Sequence, residues 1–262
     1  LLALAGAVDR RLLALAARWA PTELRFPPLM AAADLAPVDY LGSFPHLATF
    51  ATCLDGADAG MGASVAADGT VEHSATEPVR HLLTPAACYH LYVHHRGQRL
   101  PSARHFTVRA TCFRREEHFV PLERQWSFAM REVVCMGTAG EVRRFLAEAR
   151  EEVDRLAGEA GLPVTWAQAT DPFFQPAHQP KWIMQRLDPV KHELVFDGRL
   201  AIASVNLHHD HFGRGYGIER EVGAGAEPAH TGCVAFGIER WLAAIAQQHG
   251  ADAAAWPKLG VR

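Results

Sequence analysis

Cys112-Phe113-Arg114-Arg115-Glu116, followed by Arg124-Gln125-Trp126-Ser127-Phe128-Ala129-Met130-Arg131-Glu132, is the stretch that decides the fold of this chain. Upstream it is continuous with His105-Phe106-Thr107-Val108-Arg109-Ala110-Thr111, so an alternating, β-branched strand runs to Arg114. Trp126 to Cys135 reads as a second strand, and the charged run Arg115 to Glu123 as the loop between them. The pair predicts a long antiparallel hairpin. Far downstream, Thr231-Gly232-Cys233-Val234-Ala235-Phe236-Gly237-Ile238-Glu239-Arg240 starts as a strand or turn and becomes a helix that runs to Gln248. Each segment sets an arginine beside apolar sequence. Together they supply two cations for one polyphosphate, in a chain with no P-loop and no G-x-G-x-x-G.

Outward from these segments, Leu2, Leu4, Leu12, Leu13, Leu15, Ala16 and Trp19 recur at helical spacing over residues 1–20, and Pro21 ends that helix. A short helix is expected over Ala31 to Leu35 and a turn over Gly42 to His46. Gly140 to Ala160 predicts an amphipathic helix, with Val142, Phe145, Leu146, Ala149, Val153 and Leu156 on one face and Gly161 as its stop. Lys191 to Phe196 and Leu200 to Leu207 predict two strands joined at Asp197-Gly198. Antiparallel strands with helices outside give an α+β fold, one domain over residues 1–262.

The chain has 262 residues, about half of them hydrophobic, with a formal net charge of −3. That size supports one large core, and that charge leaves no global basic footprint for nucleic acid. No uncharged apolar run approaches the ~18 residues of a membrane span. The chain opens on Leu1 rather than Met, so trimming at the N-terminus of a longer chain is expected. Five widely spaced cysteines make no disulfide framework, which favours a cytoplasmic protein with reduced thiols. Cys53, Cys112 and Cys135 are expected as small buried hydrophobes.

Three constellations carry chemistry. Arg114 and Glu116 leave one face if the strand continues that far, and a fixed cation beside a carboxylate grips an anion and an amine together. A surface ion pair of little consequence is the competing reading. Arg240 follows a Gly-Ile-Glu turn and is placed to fork onto a phosphate or stack on a base. Cys88, Glu132 and Cys233 are two thiols and a carboxylate, a donor set that suits Zn²⁺ with an open fourth position. Their spacing matches no local zinc motif, and a buried apolar cysteine is the commoner outcome for any one of them. His208-His209-Asp210-His211 resembles a metal cluster, but strand alternation lets at most a pair share an ion.

Phe113-Arg114-x-Glu116 with Arg124 through Phe128 to Glu132 resembles motif 2 of class II aminoacyl-tRNA synthetases, and Phe236 to Arg240 resembles motif 3. Phe26-Pro27-Pro28-Leu29 is loosely like motif 1, the dimer-forming element. Within that class the chain looks like the atypical zinc-dependent seryl-tRNA synthetases, and most of all like their tRNA-independent relatives, the amino acid:carrier protein ligases. Thr231-Gly232-Cys233 ahead of motif 3 and Ala203 to Gly213 carry this finer likeness. One position departs from it. Ala201 stands where the seryl enzymes place a glutamate that helps bind Mg²⁺, so Glu193 or Asn206 would take over.

The resemblance implies a class II synthetase-like antiparallel sheet flanked by helices. It implies ATP-dependent activation of a small amino acid, glycine or alanine, as an adenylate. Transfer to the phosphopantetheine thiol of a carrier protein would follow, by a homodimer without tRNA or membrane partners. In this scheme Arg114 bridges carboxylate and α-phosphate, and Arg240 holds the γ-phosphate side or covers the adenine. Arg124 and Gln125 frame the adenine, and Ser204 and Asn206 join the ATP site. Cys88, Glu132 and Cys233 hold Zn²⁺ for the substrate amine, which Glu116 helps orient, and Met130, Trp126 or Phe236 limit the amino acid's size. Mg²⁺ accompanies ATP. The alternatives are a seryl-tRNA synthetase core that charges tRNA and a non-catalytic synthetase paralogue.

Overall fold

The computed structural model describes residues 1–58, 60–174, 183, 189–250 and 252–258. In chain order its main sheet takes Thr22–Leu24 (β1), Arg104–Phe113 (β2), Ser127–Gly137 (β3), Val164–Ala169 (β4), Lys191–Phe196 (β5), Leu200–His209 (β6) and His230–Gly237 (β7). Their spatial order is β1-β2-β3-β7-β6-β5-β4. β1 lies parallel on β2, and the other neighbours are antiparallel. The expected hairpin is therefore β2–β3, in continuous register from Arg104↔Met136 to Phe113↔Ser127. Asp197 and Gly198 between β5 and β6 both take positive φ, 49° and 63°, the backbone that a tight hairpin turn demands.

Period-two alternation decides what each strand gives to each face. Val133 and Cys135 of β3, with Val234 and Phe236 of β7, pack under three helices: Leu2–Ala16 (α1), Ala139–Glu159 (α3) and Ile238–His249 (α5). Met130 and Val134, with Cys233 and Ala235, turn the other way. They pack with two short helices, Tyr89–His94 (α2) and His211–Tyr216 (α4). The sheet is covered by long helices on one side and carries the site on the other.

Helix α3 starts on a capping box. The Thr138 hydroxyl accepts from the Glu141 amide at 3.3 Å, and the Glu141 carboxylate accepts from the Thr138 amide at 2.7 Å. It ends where Gly161 turns to φ 65°. Its buried face is Val142, Phe145, Ala149, Val153 and Leu156. It presses so closely on β7 that a Cβ on Gly232 would stand 2.8 Å from Val142 Cγ1 and 3.0 Å from Leu146 Cδ1. Glycine is the residue that lets the helix come this near.

Among the described residues, the most deeply buried charge on the helical side is an arginine. Arg131 of β3 is 1% exposed. Its guanidinium donates to both carboxylate oxygens of Asp9 on α1 at 2.6 and 3.1 Å, to Thr107 Oγ1 at 3.1 Å and to Glu23 on β1 at 3.3 Å. That network ties the first helix and the edge strand to the hairpin.

Some expectations need correction. Gly42 to His46 is not a simple turn. Tyr40–Ser43 is helical and Pro45–Leu47 is a 3₁₀ turn, because Phe44 is drawn inward onto Phe173, ring centroids 5.0 Å apart. Cys53 is exposed rather than buried. β4 is a sheet-edge strand whose outward residues blunted its pattern. Among the described residues no helix is long and apolar enough to cross a membrane.

Replacing one partner of a buried ion pair strands the other charge. Asp9→Ala should therefore lower the unfolding free energy by about 3 kcal/mol in urea denaturation. A loss under about 1 kcal/mol would mean that Glu23 and Thr107 suffice for Arg131.

Candidate active site

A cavity of about 630 Å³ lies on the sheet face away from α1, α3 and α5. Its floor is made by Phe128, Met130 and Glu132 of β3, Cys233 and Ala235 of β7, and Ser204, Asn206 and His208 of β6. These are the alternate residues to those buried under the helices, so the same register that builds the core builds the floor. Its wall includes Arg114, Glu116, Gln125, Arg240 and Cys88.

The two arginines of the opening segments meet here. β2 ends at Phe113, so Arg114 and Glu116 lie in the following loop and are not same-face neighbours of one strand. Arg114 donates from Nε to the Pro85 carbonyl at 2.9 Å and lies over the Phe128 ring, 5.3 Å from its centroid. Glu116 pairs instead with Arg124, at 2.7 Å. Arg124 thus reaches the site through Glu116 and is not part of the cavity wall. Arg240 is anchored by two backbone carbonyls, Glu123 O at 2.9 Å and Ala201 O at 3.1 Å. Burial, with the nearby Arg114 charge, lowers its pKa, so an anion arriving here would relieve two cations at once. Beside Arg240, Glu239 accepts the Ala129 amide on both oxygens at 2.9 Å and fixes the strand-to-helix turn against β3. Gln125 Oε1 is buried with no hydrogen-bond partner, an acceptor left for a ligand's donor.

The opposite end is sulfur-rich. Cys88, Glu132 and Cys233 are 6%, 2% and 3% exposed. They lie close enough for each to shift the others' proton affinity. Hydrogen-bond donation to Cys233, then burial and the Glu132 charge, push the Cys88 thiol well above the usual thiol range. Burial raises Glu132 despite the two thiols, Arg114 and the Ala87 amide against it. Glu132 Oε2 remains buried and unpartnered. A lone buried carboxylate oxygen is costly, and a cation is one group that would satisfy it. Among the described residues no three His, Cys, Asp or Glu side chains are spaced as a formed metal centre. The donor chemistry fits zinc, and the three groups are already mutual neighbours.

On β6, Asn206 donates to Ser204 Oγ at 3.0 Å and to Cys233 Sγ at 3.4 Å. Both line the cavity, but this links Asn206 to the sulfur end as well as to the proposed nucleotide end. Glu193 and Ala201 also line it, and Lys191 bridges Asp171 at 3.1 Å and Glu193 at 3.4 Å. Of the residues expected to limit substrate size, Met130 lines the cavity. Phe236 is buried under the helices. Trp126 is 55% exposed, with its indole N–H donated to the Glu116 carbonyl at 2.8 Å.

Alternation misled on the histidines. The register shifts between Leu207 and His209, which takes φ 50°. That irregularity lets His208, His209 and His211 all line the cavity. Burial pushes His208 down to about 4, so its imidazole is neutral at ordinary pH. Lys191, Asp171 and these histidines are among the wall residues that sequence reasoning gave no role. Asp171 and Lys191 had no motif to announce them, and a bulge cannot be read from a strand pattern.

No family model matches the chain. It is 40% identical over 255 residues to "Amino acid--[acyl-carrier-protein] ligase 1" of Bradyrhizobium diazoefficiens, covering 92% of this chain and 76% of that protein. It is 39% identical over 246 residues to ligase 2 of the same organism, covering 89% and 72%. The fold matches that of the M. kandleri SerRS solved with A. aeolicus tRNASec, at a TM-score of 0.79 and 18% identity. That match covers 98% of this chain, which spans about half (54%) of the synthetase. The main sheet is thus of the class II synthetase kind.

Exposure separates the thiols. In the native, metal-free protein a thiol reagent should titrate Cys53 rapidly, with Cys88, Cys112, Cys135 and Cys233 reacting only slowly or on denaturation. Fast reaction of more than one thiol equivalent would contradict the burial of the other four.

Proposed function

This chain belongs to the amino acid–[acyl-carrier-protein] ligase family, and we propose that it joins a small amino acid to ATP as an aminoacyl adenylate and passes it to the thiol of a carrier protein. The observation that carries the reading is one cavity with two cations at one end and a Cys-Glu-Cys donor set at the other. An amino acid has the matching polarity, with a carboxylate to be activated and an amine to be held.

In the first step a carboxylate oxygen attacks the α-phosphorus of ATP, and pyrophosphate leaves. Arg114 neutralises the charge that builds between carboxylate and phosphate, and Arg240 receives the remainder of the polyphosphate. Gln125, with its unpartnered Oε1, accepts from the exocyclic amine of adenine. Glu116 holds Arg124 at the edge of the nucleotide site. Glu193 and Asn206 are the candidate groups for Mg²⁺ travelling with ATP, since position 201 is alanine. Cys88, Glu132 and Cys233 would hold Zn²⁺, whose chemistry is to bind the amine as a Lewis acid. Met130 and Ala235 close around the substrate's Cα, which favours glycine or alanine. In the second step the carrier thiol attacks the adenylate carbonyl, a C–S bond forms and AMP leaves. A homodimer through the Phe26–Leu29 region completes the proposal, and light scattering tests it.

Pyrophosphate exchange decides the first step. ATP–pyrophosphate exchange should depend on glycine or alanine, and label should then move to a phosphopantetheinylated carrier and not to tRNA. No exchange with any amino acid would sink the activation step. Label on tRNA alone would favour a seryl-tRNA synthetase core. Arg114→Ala should cost about 10²–10³-fold in exchange rate, the scale of losing one charge-stabilising donor. Cys233→Ser should lose bound zinc together with exchange, and full activity without metal would refute the zinc role.

A further inference from the structure

Two side-chain nitrogens approach Cys233 Sγ, and neither belongs to the Cys-Glu-Cys set. Asn206 Nδ2 lies 3.4 Å away, and His208 Nε2 lies 3.7 Å away. The other nitrogen of His208 decides what Nε2 carries. Nδ1 stands 3.3 Å from the Tyr92 hydroxyl and 3.1 Å from Thr231 Oγ1. Tyr92 and Thr231 are both fully buried, so water does not compete for their protons. Each hydroxyl has a proton to place, and His208 Nδ1 lies within reach of both as an acceptor. A neutral imidazole that accepts at Nδ1 keeps its hydrogen on Nε2, pointed at sulfur. The ring has little freedom to turn. Phe212 meets it edge-on at 5.0 Å and Tyr92 at 6.2 Å.

We infer that His208 is a positioning residue for Cys233, an N–H donor held in that tautomer by the Tyr92 and Thr231 hydroxyls, and not itself a metal ligand. The inference rests on the zinc reading of Cys88, Glu132 and Cys233. With its nitrogen lone pair turned to the phenol, His208 leaves the fourth metal position to the substrate amine. The two donors also distinguish the cysteines. Cys233 is held from the sheet by Asn206 and His208, whereas Cys88 stands at the start of α2. Groups that orient a ligand typically cost 10–100-fold in metal affinity when removed.

The test uses the whole chain loaded with Zn²⁺ or Co²⁺. Zinc affinity is measured against a chromophoric chelator, and the thiolate-to-cobalt absorption band reports the sulfur environment. His208→Ala should weaken zinc about 10–100-fold and shift that band, while His208→Gln, which keeps an N–H donor, should recover most of both. Thr231→Val should move the band in the same direction by less. Melting of each metal-free variant shows whether the fold is retained, and Thr231→Val serves if His208→Ala does not fold. Wild-type affinity and band in all three variants would overturn the inference and leave the zinc reading standing. So would loss of one protein ligand in His208→Ala that His208→Gln fails to restore, because that would make the histidine a ligand. A wild-type chain that binds neither metal would overturn both.

Discussion

A one-residue slip of β7 along β3 would carry Cys233 out of the cavity and under a helix. What forbids it is the approach of α3 to Gly232. A Cβ at that strand position would stand 2.8 Å from Val142 Cγ1 and 3.0 Å from both Leu146 Cδ1 and the Asn206 carbonyl, so a glycine is favoured on the helical face, with its neighbours on the other. With that register fixed, Cys233 and Ala235 face the cavity, and Ala235 pairs across to Glu132. The capping box that fixes where α3 begins therefore helps to place a sulfur atom on the far side of the sheet.

Sheet and site make opposite demands on β3. Its odd positions from Ala129 to Cys135 are apolar apart from Arg131, whose charge is met by Asp9, Glu23 and Thr107. Its even positions include a carboxylate with an oxygen left unmet. Both are buried charges, but one is closed by the fold's own groups and the other is left for a visitor. Each unpaired buried polar atom asks for an explanation. Of the six such side-chain atoms among the described residues, Glu132 Oε2 and Gln125 Oε1 are the two whose residues line the cavity.

Much of this was legible in the sequence, and for identifiable reasons. The β2–β3 hairpin and α3 announced themselves because their periods are clean and their caps standard. Arg114, Arg240, Cys88, Glu132 and Cys233 line one cavity, a grouping that the resemblance implied and that spacing alone did not. The sequence misled where a local irregularity changes direction. The end of β2 at Phe113 moves Glu116 from Arg114 to Arg124. The shifted register at His209 turns adjacent histidines into the same cavity. The burial of Phe236 and the exposure of Trp126 and Cys53 were settled by packing partners far away in the chain, which no local pattern reveals.

Arg240 already has occupants. Its guanidinium holds the Glu123 carbonyl, at the tip of the loop after β2, and the Ala201 carbonyl on β6. These bonds use the Nε hydrogen and one of the two on Nη1, out of the five N–H groups that a guanidinium carries. An anion that claims this side chain therefore adds to these contacts and need not displace them. The long side chain is ordered before any ligand comes, so association at that end loses little rotamer freedom. The two carbonyls act as a brace that aims the cation.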